Sequence, residues 1–175
     1  MDIPAEINIP SKNDRYAPIP AGTTVTVKLG QSWDKEADKF KPFGEFNSGT
    51  TKNGDPYFVV PLVVASGSFE GRKLSIFVNW NSSERNINFL ADLYEKVTGK
   101  DLAEGGQINI PDMVEGFKTG LFEIEVKLQK NDPQYNDVKR LIARVGDATH
   151  DQPGDHGDVS IAVDDAPADD GDVPF

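Results

Sequence analysis

The clearest pattern in this chain has a period of two. Between Gly120 and Lys130, Phe122, Ile124, Val126 and Leu128 alternate with Glu123, Glu125 and Lys127. Such a segment separates a core face from a solvent face only when it is extended. The pattern recurs. Thr23 to Leu29 turns Val25, Val27 and Leu29 inward and Lys28 outward, then stops at Gly30; Arg72 to Trp80 sets Leu74, Ile76 and Val78 against Lys73, Ser75, Phe77 and Asn79. Pro56 to Ala65 is a nearly continuous apolar strand in which Pro61 marks an edge or a bulge. Asp137 to Val145 completes a set of five strands. Helical spacing appears in one segment, through Ile87, Leu90, Tyr94 and Val97, with Ser82-Ser83 as N-cap chemistry and Gly99 at the C′ position. Ser66 to Gly71 and Asn131-Asp132-Pro133 read as turns, and the stretch through Gly105-Gly106 and Pro111 as a connection.

The order is strand, long loop, strand, turn, strand, helix, strand, turn, strand. The fold class expected is mainly β: a five-stranded OB-fold barrel with one helix between strands three and four. A small α+β sandwich is the other arrangement of the same elements. Three regions follow. Residues 1–20, with Pro4, Pro10, Pro18 and Pro20, read as an extended N-terminal arm; 21–146 as the folded domain; 147–175, rich in Asp, Gly, Pro and Ala, as a disordered acidic tail.

Charge sharpens that division. The chain carries 29 Asp+Glu against 18 Lys+Arg, a formal charge of −11. From Asp147 to Phe175 there are nine Asp and no Lys, Arg or Glu, which leaves 20 acidic against all 18 basic side chains, a balance of −2, on the other 146 residues. With no Cys, a disulfide framework, thiol catalysis and zinc ribbons are excluded. His150 and His156 both fall in the acidic stretch, so neither a Ser-His-Asp triad nor a His-based metal site is expected in the folded body, and no metal or cofactor is expected. No Gly-x4-Gly-Lys phosphate loop occurs. The N-terminus lacks a basic region followed by an apolar one, and the longest apolar run, Phe58 to Ala65, is far too short to span a bilayer, so no signal peptide and no membrane partner are expected.

Binding to single-stranded nucleic acid requires aromatic platforms for bases and cations for the backbone. Both occur where an OB-fold would use them. The long loop from Gln31 to Asp55 interleaves Trp33 and Phe40 with Lys35, Lys39 and Lys41 and adds Lys52; the third strand carries Arg72, Lys73 and Phe77; the last turn and strand add Lys130, Tyr135, Lys139 and Arg140, with Arg144 further along. Phe77 is the most telling, because it interrupts an otherwise polar outward face. Phe43, Phe46, Tyr57, Phe58 and Trp80 read as core or barrel-mouth packing, and the lysines of the loop, set among Asp34, Glu36 and Asp38, also fit a solvated mixed-charge surface.

The acidic stretch ends in Asp169-Asp170-Gly171-Asp172-Val173-Pro174-Phe175. This tip resembles that of bacterial single-stranded DNA-binding proteins, several Asp followed by Ile-Pro-Phe, with Val173 in place of Ile and Gly171 interrupting the acids. The body is more similar to phage-encoded single-stranded DNA-binding proteins, through Lys52-Asn53-Gly54-Asp55-Pro56-Tyr57, Gly67 to Phe77, and Gln134-Tyr135-Asn136-Asp137-Val138-Lys139-Arg140. The resemblance implies an OB-fold that coats single-stranded DNA in a bacterial host's cytoplasm. It implies also that Asp169, Asp170, Asp172, Val173, Pro174 and Phe175 dock replication, recombination or repair proteins, and it leaves room for a homo-oligomer. A nine-Asp segment also imitates a phosphate backbone and is long enough, at about 95–105 Å extended, to occupy the chain's own basic surface.

A reading from another class competes. Pro111-Asp112 followed by Glu125-Val126-Lys127 matches the Pro-Asp…(Asp/Glu)-x-Lys pattern of Mg²⁺-dependent nucleases, in which two carboxylates hold the metal and the Lys orients water. The pattern is short, and the expected class is a binding protein, not an enzyme. Pro111-Asp112 also reads as loop, and the plainer expectation is that Glu123, Glu125 and Lys127 pair with Arg140 and Arg144 across the sheet.

Overall fold

The computed structural model describes residues 17–149, which form eight strands and two helices. In order they are β1 (Thr24–Leu29), β2 (Trp33–Asp34), β3 (Lys39–Phe40), β4 (Asn47–Thr50), β5 (Pro56–Val64), β6 (Lys73–Asn79), α1 (Glu84–Thr98), α2 (Ile110–Thr119), β7 (Gly120–Leu128) and β8 (Asn136–Asp147). The acidic stretch beyond residue 149 and its Phe-terminated tip lie outside the described residues.

Six strands form one antiparallel sheet in the order β4-β5-β1-β7-β8, with β6 on the other edge of β5. β5 is therefore an interior strand. β6 pairs with it from Tyr57 to Val63, while β4 takes its opposite edge from Pro56 to Val59 and β1 from Leu62 to Val64. Pro61 marks neither an edge nor a bulge. It sits at the handover between β4 and β1, where its carbonyl accepts Gly30 N–H at 2.9 Å and its missing N–H interrupts neither ladder. The long loop has structure of its own. It folds into the β2–β3 hairpin and β4.

In β1, β6 and β7 the inward residues are those the alternation marks, and β5 adds Val60, Leu62 and Val64 from its apolar run. Val25, Val27, Leu29, Val60, Leu62, Val64, Leu74, Ile76, Val78, Phe122, Ile124 and Val126 are buried, and α1 and α2 close the core with Leu90, Leu93, Tyr94, Val97, Met113 and Phe117. Ile87, one turn earlier on the α1 stripe, remains exposed. Ser83 occupies the N-cap of α1 but does not cap it; its hydroxyl donates instead to Asn81 Oδ1 at 2.9 Å.

Three features differ from the expectation. The sheet is open: β6 and β8 approach within 8 Å between Cα atoms but share no ladder, so no closed five-stranded barrel forms. β8 changes register against β7 three times, and each shift bends the strand and disrupts that ladder locally. A second helix, α2, precedes β7 where a connection was expected. Pro111 lies in its first turn, where a proline costs no hydrogen bond, and Asn109 Oδ1 caps it by accepting Asp112 N–H at 3.2 Å. Finally, the chain enters the fold before residue 21. Ile19 is fully buried, and Asn136 clasps its backbone, accepting Ile19 N–H at 2.8 Å and donating to Ile19 O at 2.9 Å.

Candidate nucleic-acid interface

The outward faces of β5 and β6 carry the aromatic centre of the site. Phe77 projects from β6 at 52% exposure, opposite Val59. One ring face of Phe77 is covered by Tyr57, stacked at 4.7 Å between centroids with 28° between planes. Tyr57 in turn lies across the backbone of Gly49, its partner on β4; a Cβ there would stand 2.7 Å from the Tyr57 hydroxyl. Gly49, Tyr57 and Phe77 thus form a layered support with an exposed aromatic at its end. Phe89 of α1, 41% exposed, lines a groove together with Phe77.

A second aromatic group comes from the hairpin. Trp33 and Phe40 are register partners with rings edge to face at 5.0 Å, and each is 43% exposed. The Asp34 carboxylate holds the turn between them, accepting Ala37 N–H at 3.1 Å and Glu36 N–H at 3.0 Å. The Ala37 hydrogen bond above all, helped by Glu36 N–H and the charges of Lys41 and Lys39, keeps this carboxyl below its usual range despite some desolvation. Lys73 of β6 joins the two groups: its ammonium stands 5.4 Å from the Phe40 ring centroid, an attraction of the cation–π kind.

The gap between the sheet ends gathers further members. Its first part, a recess of about 350 Å³, is lined by Arg72, Lys73 and Tyr135 together with Pro18 and Ile19. Its second part, about 250 Å³, lies between Phe77 and Phe89 on one side and Lys127, Lys139 and Arg140 on the other. Arg72 is partly committed, donating to Ala17 O at 2.9 Å and lying 5.6 Å over the Phe69 ring. Lys139 and Arg140 both hold Glu125, at 3.1 and 2.9 Å. Simple alternation would send consecutive residues to opposite faces. Here the register steps from Glu125↔Arg140 to Val126↔Val138, so Lys139 is the extra residue of a bulge and both cations reach one carboxylate.

The sequence-predicted residues are thus brought together unevenly. Trp33, Phe40, Lys73 and Phe77, and Arg72, Tyr135, Lys139 and Arg140, meet as described. Lys35 and Lys41 share a separate recess with Trp33, where Lys41 Nζ turns back toward Phe46 O at 3.5 Å, and Lys39 is exposed on β3. Lys52 and Lys130 stand exposed in the turns before β5 and before β8 and line neither part of the gap. Arg144 does not join the surface. Its guanidinium reaches Val97 O at 3.1 Å, Gly116 O at 3.4 Å, Thr119 Oγ1 at 3.3 Å and Asp147 at 2.9 Å, binding the C-terminal turns of both helices. Tyr57, Phe89 and Gly49 were missed as site residues. Tyr57 has the parity of Val59 and Val63 on β5, but an unbroken apolar run conceals its outward direction.

The carboxylates of the nuclease-like pattern have separate partners. Asp112, in the first turn of α2, is held by Lys100 and accepts Tyr94 O–H at 3.2 Å; the Lys100 hydrogen bond is the main reason its carboxyl lies below the usual range and the Lys100 ammonium above its own. Glu125, on the outward face of β7, is held down by Lys139 first and Arg140 second. Lys127 lines the groove beside Phe77. Among the described residues no group of three or more acidic or His side chains is arranged to hold a metal ion, and no helix is long and apolar enough to cross a membrane. No protein-family model matches this chain, and no curated protein matches it.

Proposed function

We propose that this chain binds single-stranded DNA independently of sequence, in the manner of phage-encoded single-stranded DNA-binding proteins acting in replication, recombination and repair. The observation that carries the reading is the exposed Phe77 ring, supported from behind by Tyr57 and Gly49 and flanked by Lys73, Phe40 and the cations of the gap. Bases stack on such a platform whatever their identity, while lysines and arginines track the phosphates.

The proposed fold is OB-like. The strand order β6-β5-β1-β7-β8, with the two ends facing each other across a narrow gap, is what an OB barrel becomes when its last pairing is not made. On this reading the β2–β3 hairpin and the β7–β8 turn are the binding loops, and the segment 164–175 recruits replication or recombination proteins. A fluorescence titration with oligo-dT and with duplex DNA at two salt concentrations tests it. Binding is expected to prefer the single strand and to weaken with salt, as released counterions drive part of the affinity. Equal affinity for duplex, or none for either, overturns the proposal.

A further inference from the structure

Among the described residues, Glu125 is the one outward carboxylate on β7 that two cations enclose. Lys139 Nζ and Arg140 Nε approach its two oxygens, Oε2 and Oε1, and the bulge exists at this point in the ladder. The carboxylate side chain is 15% exposed, whereas Lys139 and Arg140 are 57% and 67% exposed. The anion is thus covered by its partners, and the partners face the groove that ends at Phe77. Two oxygens shared between an ammonium and a guanidinium make the same demand as two oxygens of a phosphodiester.

We infer that Lys139 and Arg140 form a phosphate seat for the bound strand, and that Glu125 occupies this seat in the free protein as an internal counter-anion. The inference rests on the single-strand reading above and adds a regulatory element to it. A phosphate entering the seat displaces Glu125 from one or both cations. The strand therefore gains less there than two free cations would give, and the free protein is protected from binding any passing polyanion at the same point. Glu123, two residues earlier on the same strand face, has no such pair among the described residues.

The test compares the full chain with its Glu125→Gln and Glu123→Gln variants, titrated with fluorescent oligo-dT over a range of salt. Thermal unfolding serves as the check that each variant folds. Glu125→Gln is expected to tighten binding several-fold more than Glu123→Gln, and to steepen the salt dependence by up to about 1.4 in log–log slope, two contacts at about 0.7 each. Arg140→Gln should then lose more affinity in the Glu125→Gln background than in the otherwise native chain. Equal effects of Glu125→Gln and Glu123→Gln, with additive Arg140→Gln losses, reduce Glu125 to one charge among many and overturn the seat. Failure of the native chain and of Glu125→Gln alike to bind oligo-dT overturns the single-strand reading itself, and the seat with it.

Discussion

Phe77 and Arg144 illustrate how much a single residue's surroundings matter. Both stand in strands and both looked like contacts for a strand of DNA, yet one ring is exposed and one guanidinium is spent on two helix ends. Phe77→Ala should cost about 1–3 kcal/mol of oligo-dT affinity, one stacked base, with little loss of stability because the ring is half exposed. Unchanged affinity in a folded variant would place the binding face elsewhere. Arg144→Ala should do the reverse. Chemical denaturation should report a loss of about 1.5–3 kcal/mol, the range for hydrogen bonds from a charged donor, while oligo-dT affinity changes little. Tyr57→Leu keeps an apolar side chain but removes the flat support, and should weaken binding less than Phe77→Ala.

At the level of elements, alternation located β1, β6 and β7 to within a residue or two, because a half-buried strand must repeat its apolar residues every second position, and β5 was found by its apolar run instead. β8 was harder. Its extent was read to within a residue or two, but its three register shifts break the period, so the common direction of Lys139 and Arg140 could not be read from parity. α2 was hidden for a different reason: it has ten residues, begins with a proline in its first turn and contains Gly116, all of which resemble a loop. Gly116 is where the helices meet. A Cβ there would stand 2.6 Å from Val97 O and 2.7 Å from Val97 Cγ1. Gly116→Ala should therefore destabilise the fold by about 1–3 kcal/mol, although alanine is the better helix former. A rise in melting temperature would show that the two helices can separate without penalty.

For the whole molecule, charge location outweighs net charge. The −11 of the chain argues against a polyanionic partner, whereas the near-neutral 146 residues before the Asp-rich stretch do not. On the proposed function, removing residues 164–175 should tighten oligo-dT binding at low salt and abolish any recruitment of replication enzymes; equal affinity with and without the segment rules out competition by its aspartates. The fold should also be acid-sensitive. Glu125, Asp112 and Asp34 all have carboxyls held below the usual range in the folded state. Their stabilisation is complete above the ordinary carboxyl range and is lost as pH falls through the depressed folded values. Lys100 has the opposite sign: its stabilisation is complete below the ordinary lysine range and is lost as pH rises through its raised folded value. Denaturation midpoints measured from neutral pH downward should fall in the acidic range, and Glu125→Gln should flatten part of that fall.

The sequence by itself determined a mainly β chain, the inward face of three strands, the position of α1 and the uneven charge. Each follows from local rules: a period of two, a period of 3.6, or a count. It could not decide which outward residues meet, because that depends on register and strand order. Tyr57 reaches Phe77 through the β5–β6 ladder and rests on Gly49 through the β4–β5 ladder. Lys139 and Arg140 share Glu125 only because Lys139 has no partner on β7. Contacts of this kind join residues of different strands, and only the folded sheet brings them together.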